Sequence, residues 1–157
     1  MTQLTKNFSL EELTRSATAT ARGIDNTPTP AVKKNLQTLA TSLQSIRDYY
    51  GKGIAINCAY RCKALNTAVG GALTSQHMTG YAADIRPVDG NMAALKLSIL
   101  QWSNTHQYDQ IIFEQCDSNG IPSWIHFGVR HATKGQRRQK LIAKKVNGKW
   151  TYSVYNG

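Results

Sequence analysis

The chain has 157 residues, of which 41% are apolar and 18% charged, the composition of an ordinary soluble globular protein. This length can bury one hydrophobic core, and we expect a single domain over residues 1–157 that acts as a monomer. No apolar run approaches the roughly 20 residues of a membrane span. The polar N-terminus also lacks the apolar segment of a secretory signal.

The net charge of +10 is concentrated in a basic C-terminal segment at about residues 130–157. This segment has no Asp or Glu and carries eight cationic side chains: Arg130, Lys134, Arg137, Arg138, Lys140, Lys144, Lys145 and Lys149. Such a segment either attracts polyanions, including anionic polymers of a cell envelope, or forms a solvated face. We expect no nucleic-acid partner, because aromatic residues before Trp150 are few and no binding motif is present.

The N-terminal third of the chain predicts two helices. Ser9 and Glu12 form a capping-box pattern that opens a short helix. Glycine, asparagine and prolines predict a loop over residues 22–30. Apolar residues at helical spacing then predict a long helix from Pro30 through Tyr50, which should end at Gly51 or Gly53.

The middle of the chain alternates between short strands and helices. Ile54–Cys58 reads as a strand, and residues 63–69 as a brief helix. Ala82–Ile85 predicts another short strand, followed by a turn at Pro87–Gly90. Residues 91–103 then predict an amphipathic helix.

The C-terminal third predicts only strands. Residues 109–114 and 124–129 should pair as antiparallel strands across a loop that is rich in turn residues. Residues 141–143 and 150–155 should form a basic terminal hairpin around Asn147-Gly148, a strong hairpin signal. The expected fold class is α+β, with helices packed on one face of a mostly antiparallel sheet.

Two histidines and one aspartate form the most informative pattern of the sequence. His77, Gly80 and Asp84 lie in the run TSQHMTGYAAD, and His126 lies in SWIHFG. Two imidazoles and one carboxylate are the ligand set of a catalytic zinc site, which leaves the fourth position open. The spacing differs from H-E-x-x-H, because His77 should lie in a loop, Asp84 in a strand and His126 in a separate strand.

The runs S-x-H-x-x-G-x-A-x-D and W-x-H resemble those of the zinc D-Ala-D-Ala carboxypeptidases and L-alanyl-D-glutamate endopeptidases, the peptidase M15 family. The resemblance extends from about Phe8 to Val129. It implies a hedgehog-like fold, a Zn²⁺ cofactor and the hydrolysis of peptide bonds in bacterial peptidoglycan.

The lack of an export signal favours the phage endolysin branch of this family. We therefore expect a protein that stays in the cytoplasm before its release, or is carried on a virion, and that acts on the cell wall.

The same resemblance implies roles for three residues outside the ligand set. Arg61, in the segment Ala59-Tyr60-Arg61, matches an arginine that contacts the substrate and stabilises charge on the reacting carbonyl. Ser75 matches a serine near the bound substrate, although it is equally suited to capping a turn. Trp124 is either a wall of the pocket or a core residue.

The sequence offers two candidates for the general base, Glu114 and Asp117. In the peptidases that the chain resembles, an acidic residue lies three positions before the second zinc histidine, where this chain has Ser123. Elimination among the nine carboxylates leaves Glu114 as the preferred base, because it should lie across the sheet from the strand of His126. Asp117 is the second choice, and a structural role for Glu114 stays open.

The remaining chemically active residues are assigned no role in the metal site. Cys58, Cys62 and Cys116 are expected to be reduced thiols. His106 and His131 lack the spacing of the ligand set. The favoured function is a zinc metallopeptidase. The alternative, motivated by Ser123, is a catalytically inactive, zinc-stabilised structural or wall-binding domain of a phage particle.

Overall fold

The structure, a computed structural model, describes residues 1–157 and contains five α-helices, one 3₁₀ turn and six β-strands. The helices are α1 (Leu10–Thr14), α2 (Ala17–Arg22), α3 (Pro30–Tyr50), α4 (Lys63–Ala68) and α5 (Met92–Ser103), and the 3₁₀ turn is Gln76–Met78. The strands are β1 (Ile54–Cys58), β2 (Ala82–Pro87), β3 (Gln110–Glu114), β4 (Trp124–Gly128), β5 (Gln139–Val146) and β6 (Lys149–Val154). No helix combines the length and the apolar character that crossing a membrane requires.

The six strands form one sheet in the order β1-β2-β4-β3-β5-β6. Every neighbouring pair is antiparallel except β3 and β5, which are parallel. This mostly antiparallel sheet with its helices confirms the α+β fold class predicted from the sequence.

Alternation along the strands separates the core from the opposite face of the sheet. Alternate side chains of β2, β3 and β4 join α3 and α5 in one hydrophobic core: Ala83, Ile85, Ile111, Phe113, Ile125 and Phe127. Because successive strand residues point to opposite faces, Asp84, Glu114 and His126 lie on the other side. We call this second side the open face of the sheet.

The long helix α3 has the ends that its sequence predicted. The hydroxyl of Thr29 accepts a hydrogen bond from the backbone N–H of Val32, and Pro30 occupies the first turn. The helix ends at Gly51, whose φ of 79° is in the left-handed region. In contrast, α2 was not predicted, because among its six residues only Ala19 is buried and no apolar stripe marks it.

The terminal hairpin is longer than predicted and belongs to the main sheet. Asn147 and Gly148 both have positive φ, at 52° and 77°, as a tight two-residue hairpin turn requires. β5 pairs in parallel with β3, so that Leu141 lies beside Ile112 and Ala143 beside Glu114. The hairpin therefore extends the open face beyond β3.

Candidate metal centre

Three different elements bring His77, Asp84 and His126 together on the open face. Asp84 on β2 lies directly opposite His126 in the antiparallel pairing with β4. His77 lies in the 3₁₀ turn rather than in an irregular loop, and Ser75 caps that turn by accepting a hydrogen bond from the backbone N–H of His77. Gly80, which has a φ of 83°, then turns the chain into β2.

The two imidazoles approach the same carboxylate oxygen of Asp84. Asp84 Oδ1 lies 3.4 Å from His77 Nε2 and 3.1 Å from His126 Nδ1. All three candidate ligand atoms lie within 4.8 Å of one another. Two ligands that are each about 2.0 Å from a tetrahedral zinc ion are separated by about 3.3 Å, so the two distances from Asp84 fit such an ion.

In each imidazole, the nitrogen that points away from Asp84, the outer nitrogen, already has a hydrogen-bond partner. His77 Nδ1 lies 2.7 Å from the backbone oxygen of Ala59, and His126 Nε2 lies 3.2 Å from Oε1 of Gln76. Since both partners are acceptors, each outer nitrogen donates its N–H. The inner nitrogen of each ring faces Asp84 and is the one that can bind a metal once it carries no proton. The donor set and its outer hydrogen bonds therefore fit Zn²⁺.

The close contact between His77 and Asp84 shifts the pKa values of both side chains. Burial alone would lower the pKa of His77, but the charge of Asp84 and its hydrogen bond raise that pKa well above its usual range. Burial would likewise raise the pKa of Asp84, but the two imidazoles hold it well below its usual range. The carboxylate is therefore ionised and draws positive charge into the cluster.

Glu114 lies on the same face, next to the three candidate ligands. It pairs directly with Trp124, two residues before His126 on β4. The indole Nε1–H of Trp124 donates to Glu114 Oε2 at 2.6 Å, while Oε1 has no protein partner. Burial, with the charge of Asp84, raises the pKa of Glu114, while His126 and the bond from Trp124 partly offset this increase. A buried carboxylate with one free oxygen is suited to proton transfer.

Neither Ser123 nor Asp117 reaches this position. The Ser123 hydroxyl is exposed and donates to the backbone oxygen of Gln115 at 2.8 Å. The Asp117 carboxylate accepts hydrogen bonds from the backbone N–H groups of Asn119 and Ile121 within its own turn. Of the two candidate carboxylates for the base, Glu114 and Asp117, only Glu114 adjoins the ligand cluster.

Arg61 and Ser75 contact each other at the edge of the cluster. Arg61 Nη2 donates to Ser75 Oγ at 3.3 Å, and the backbone N–H of Arg61 donates to the carbonyl of His77. Arg61 Nε is buried without a hydrogen-bond partner. Arg61 also lines the groove over the cluster, where a guanidinium can donate to a substrate oxygen. Ser75 caps the turn and also lines the groove, so its two predicted roles, as a turn cap and as a residue near the substrate, are compatible.

A groove of about 670 Å³ runs over the cluster and is lined by Arg61, Ser75, Glu114 and Trp124. Trp124 is half-buried in its wall, with its ring 6.2 Å from that of Trp150 in a T-shaped arrangement. A smaller depression of about 440 Å³ beside α1 and α2 has one carboxylate and no histidine or cysteine in its lining. The groove is therefore the candidate functional site.

Sequence reasoning missed several residues of this groove. The open face of the terminal hairpin contributes Lys145, Trp150 and Tyr152 to the wall. Partial burial and the charges of Glu114 and Asp84 raise the pKa of the Tyr152 phenol, as its position near both carboxylates requires. The hairpin turn was recognisable, but its docking beside β3 leaves no signal in local sequence. Gln76, which contacts His126, also had no recognisable pattern.

The other histidines and the cysteines lie outside the ligand set. His106 stacks on Trp102 with ring centroids 4.5 Å apart. His131 lies at the groove rim, where its Nδ1 accepts hydrogen bonds from the backbone of the following turn. The three cysteines are free thiols, and none belongs to the group of candidate metal ligands.

The fold and the cluster together define an α+β protein with a candidate metal centre on the open face of its sheet. The family model of Peptidase M15 matches residues 6–126, most of the chain. The chain therefore belongs to the peptidase M15 family, whose members are typically metal-dependent, and it is a peptidase. This confirms the family resemblance seen in the sequence motifs. A search of curated proteins found no match.

Zinc binding should release about one proton near pH 7, because the raised pKa of His77 keeps its Nε2 protonated in the metal-free protein and the cation needs that lone pair. The release should diminish as the pH rises through this pKa. Calorimetric titration in two buffers of different ionisation enthalpy measures the proton count. Binding without proton release would contradict the assignment of His77 Nε2 as a ligand.

Proposed function

We propose that this peptidase is a zinc-dependent hydrolase of peptide bonds in the stem peptides of bacterial peptidoglycan. It acts either as a D-Ala-D-Ala carboxypeptidase or as a wall-lytic endopeptidase of the endolysin type. The observation that carries the proposal is the convergence of His77, Asp84 and His126 beneath a groove that also contains Glu114 and Arg61.

The ligand set would hold the ion through His77 Nε2, Asp84 Oδ1 and His126 Nδ1. When bound there, zinc supplies Lewis-acid chemistry that activates water and polarises the scissile carbonyl. The chain itself must still move protons. Glu114 Oε1, which has no protein partner, accepts the proton of the attacking water and returns it to the leaving amine. The Trp124 indole fixes the other carboxylate oxygen.

Arg61 supplies a positive charge near the scissile bond. Arg61 lines the groove, and its planar, always-charged guanidinium suits an oxygen that becomes more negative as the carbonyl is attacked. The hydrogen bond to Ser75 orients the guanidinium. Ser75 and Trp124 then complete the substrate contacts near the reacting atoms.

The walls of the groove suit a substrate that carries carboxylates. Arg61, Lys134, Arg137 and Lys145 line it, whereas its acidic residues are the proposed ligand Asp84 and the proposed base Glu114. Stem peptides contain free carboxylates, which the rim cations would attract. The exposed cations of the basic C-terminal segment would also draw the protein toward anionic envelope polymers.

The setting of this activity follows from the same proposal. The protein acts as a monomer on the cell wall, without a nucleic-acid partner, after release from the cytoplasm or from a virion. The alternative is a zinc-binding structural or wall-binding domain without turnover, which Ser123 favours because it replaces the acidic residue of the related peptidases.

Purified protein loaded with zinc should release new free amines from peptidoglycan sacculi or muropeptides, and mass spectrometry should identify the cleaved bond. A chelator should abolish the release, and the variant His77→Ala serves as the matched control. Zinc binding with no cleavage of any muropeptide would favour the non-catalytic alternative.

Replacing Glu114 with glutamine should reduce kcat by at least about 100-fold, because the amide keeps the shape of the carboxylate but cannot accept the proton. Zinc content should stay at one equivalent, since Glu114 is not a ligand. Asp117→Asn is the control and should keep near-normal turnover. Near-normal turnover of Glu114→Gln would eliminate this residue as the base.

Replacing Lys145 with alanine should raise KM for a carboxylate-bearing substrate and weaken the salt dependence of kcat/KM, because this cation lines the groove. The neighbouring Lys144 does not line the groove, so Lys144→Ala is a control with the same loss of charge. Equal effects of the two substitutions would show that only overall charge matters.

A further inference from the structure

A glutamine connects one candidate ligand to a buried ion pair. Gln76 Oε1 lies 3.2 Å from His126 Nε2, and Gln76 Nε2 donates to Asp109 Oδ2 at 2.6 Å. Asp109 is fully buried and forms a salt bridge with Arg137. Neither Gln76 nor Asp109 has a role in the proposed proton transfer, so this set of contacts needs a separate explanation.

The donors and acceptors around Gln76 allow only one orientation of its side-chain amide. Arg137 offers only donors, through Nε at 2.7 Å and Nη2 at 2.9 Å, so Asp109 is held as an ionised acceptor. A carboxylate acceptor requires the NH₂ end of the Gln76 amide to face it. The carbonyl end must then face His126, whose Nε2 is consequently the protonated nitrogen. Nδ1 is then the nitrogen that faces Asp84 and that is left to bind a cation.

The packing around the glutamine reinforces this orientation. A Cβ atom on Gly128 would lie 2.7 Å from Gln76 Oε1 and 3.0 Å from Nε2, so the amide lies directly against the backbone of β4. Asp109 is held in turn by the backbone N–H of Arg137, at 3.1 Å, in addition to its guanidinium. The amide is therefore enclosed on the strand side and fixed at its outer end.

We propose that Gln76 and Asp109 are positioning residues of the metal site, which hold His126 in the ring orientation and tautomer whose Nδ1 faces the cation. We call the contacts from His126 through Gln76 to Asp109 the relay. Arg137, which lies beyond the residues that match the family model, holds Asp109 at the far end of the relay. The inference rests on the proposed zinc site. Loss of such an outer hydrogen bond to a ligand histidine typically weakens metal affinity by about 10- to 100-fold.

The test compares Gln76→Leu with Gln44→Leu. Both glutamines are half-buried, and Gln44 joins a hydrogen-bond network with Asn7 and Asp48, none of which lines the groove. Zinc affinity is measured by competition with a chromophoric chelator, the Co²⁺-loaded forms by their visible absorption, and the metal-free proteins by thermal unfolding.

Gln76→Leu should bind zinc about 10- to 100-fold more weakly than the wild type and should show an altered Co²⁺ spectrum. Gln44→Leu should keep the wild-type zinc affinity and spectrum, even where it lowers the melting temperature. Wild-type zinc affinity in Gln76→Leu would overturn the relay while leaving the metal site intact. Failure of the wild-type protein to bind zinc would overturn the metal site and the relay together.

A second substitution tests whether Asp109 acts through the glutamine. Asp109→Asn offers an amide that no longer dictates which end of Gln76 faces His126, so zinc affinity should fall. In the Gln76→Leu background the same change should have no further effect on affinity, because the connection is already broken. Equal losses from Asp109→Asn in both backgrounds would show that Asp109 does not act through Gln76.

Discussion

The carboxylate of Asp84 is the group around which the site is arranged. One of its oxygens lies within 3.4 Å of His77 Nε2 and within 3.1 Å of His126 Nδ1, so a single side chain balances two imidazoles. Asp84 can hold this position because β2 lies between β1 and β4 and cannot shift without breaking two ladders of backbone hydrogen bonds. The sheet therefore fixes the position of this charge, and the 3₁₀ turn of His77, which lies outside the sheet, packs against it.

Strand alternation explains why so much of this arrangement could be predicted from sequence. In β4, Ile125 and Phe127 enter the core, which directs Trp124 and His126 to the other face. The same reasoning placed Glu114 across from the strand of His126, and the structure pairs Glu114 with Trp124. The role of Glu114 stays a prediction, but its proximity to the ligand cluster required only an antiparallel register.

Other features depend on contacts that local sequence does not encode. The segment of α2 has no apolar stripe, and its helix is specified by Ser16 at one end and Gly23 at the other. The turn at Asn147-Gly148 predicted a hairpin, but the parallel docking of β5 on β3 joins segments separated by a long connection. The contact between Gln76 and His126 is equally remote, at 50 residues apart, and a glutamine beside a histidine indicates no function by itself.

The strand order restricts how any polypeptide can approach the cluster. The strands β2, β4 and β3 are all interior, while the free edges of the sheet belong to β1 and β6. A bound chain therefore cannot extend the sheet as an added strand next to the reactive groups, a common mode of peptide capture. Such a chain must instead be bound on the face of the sheet, through its side groups and termini rather than through a ladder of backbone hydrogen bonds.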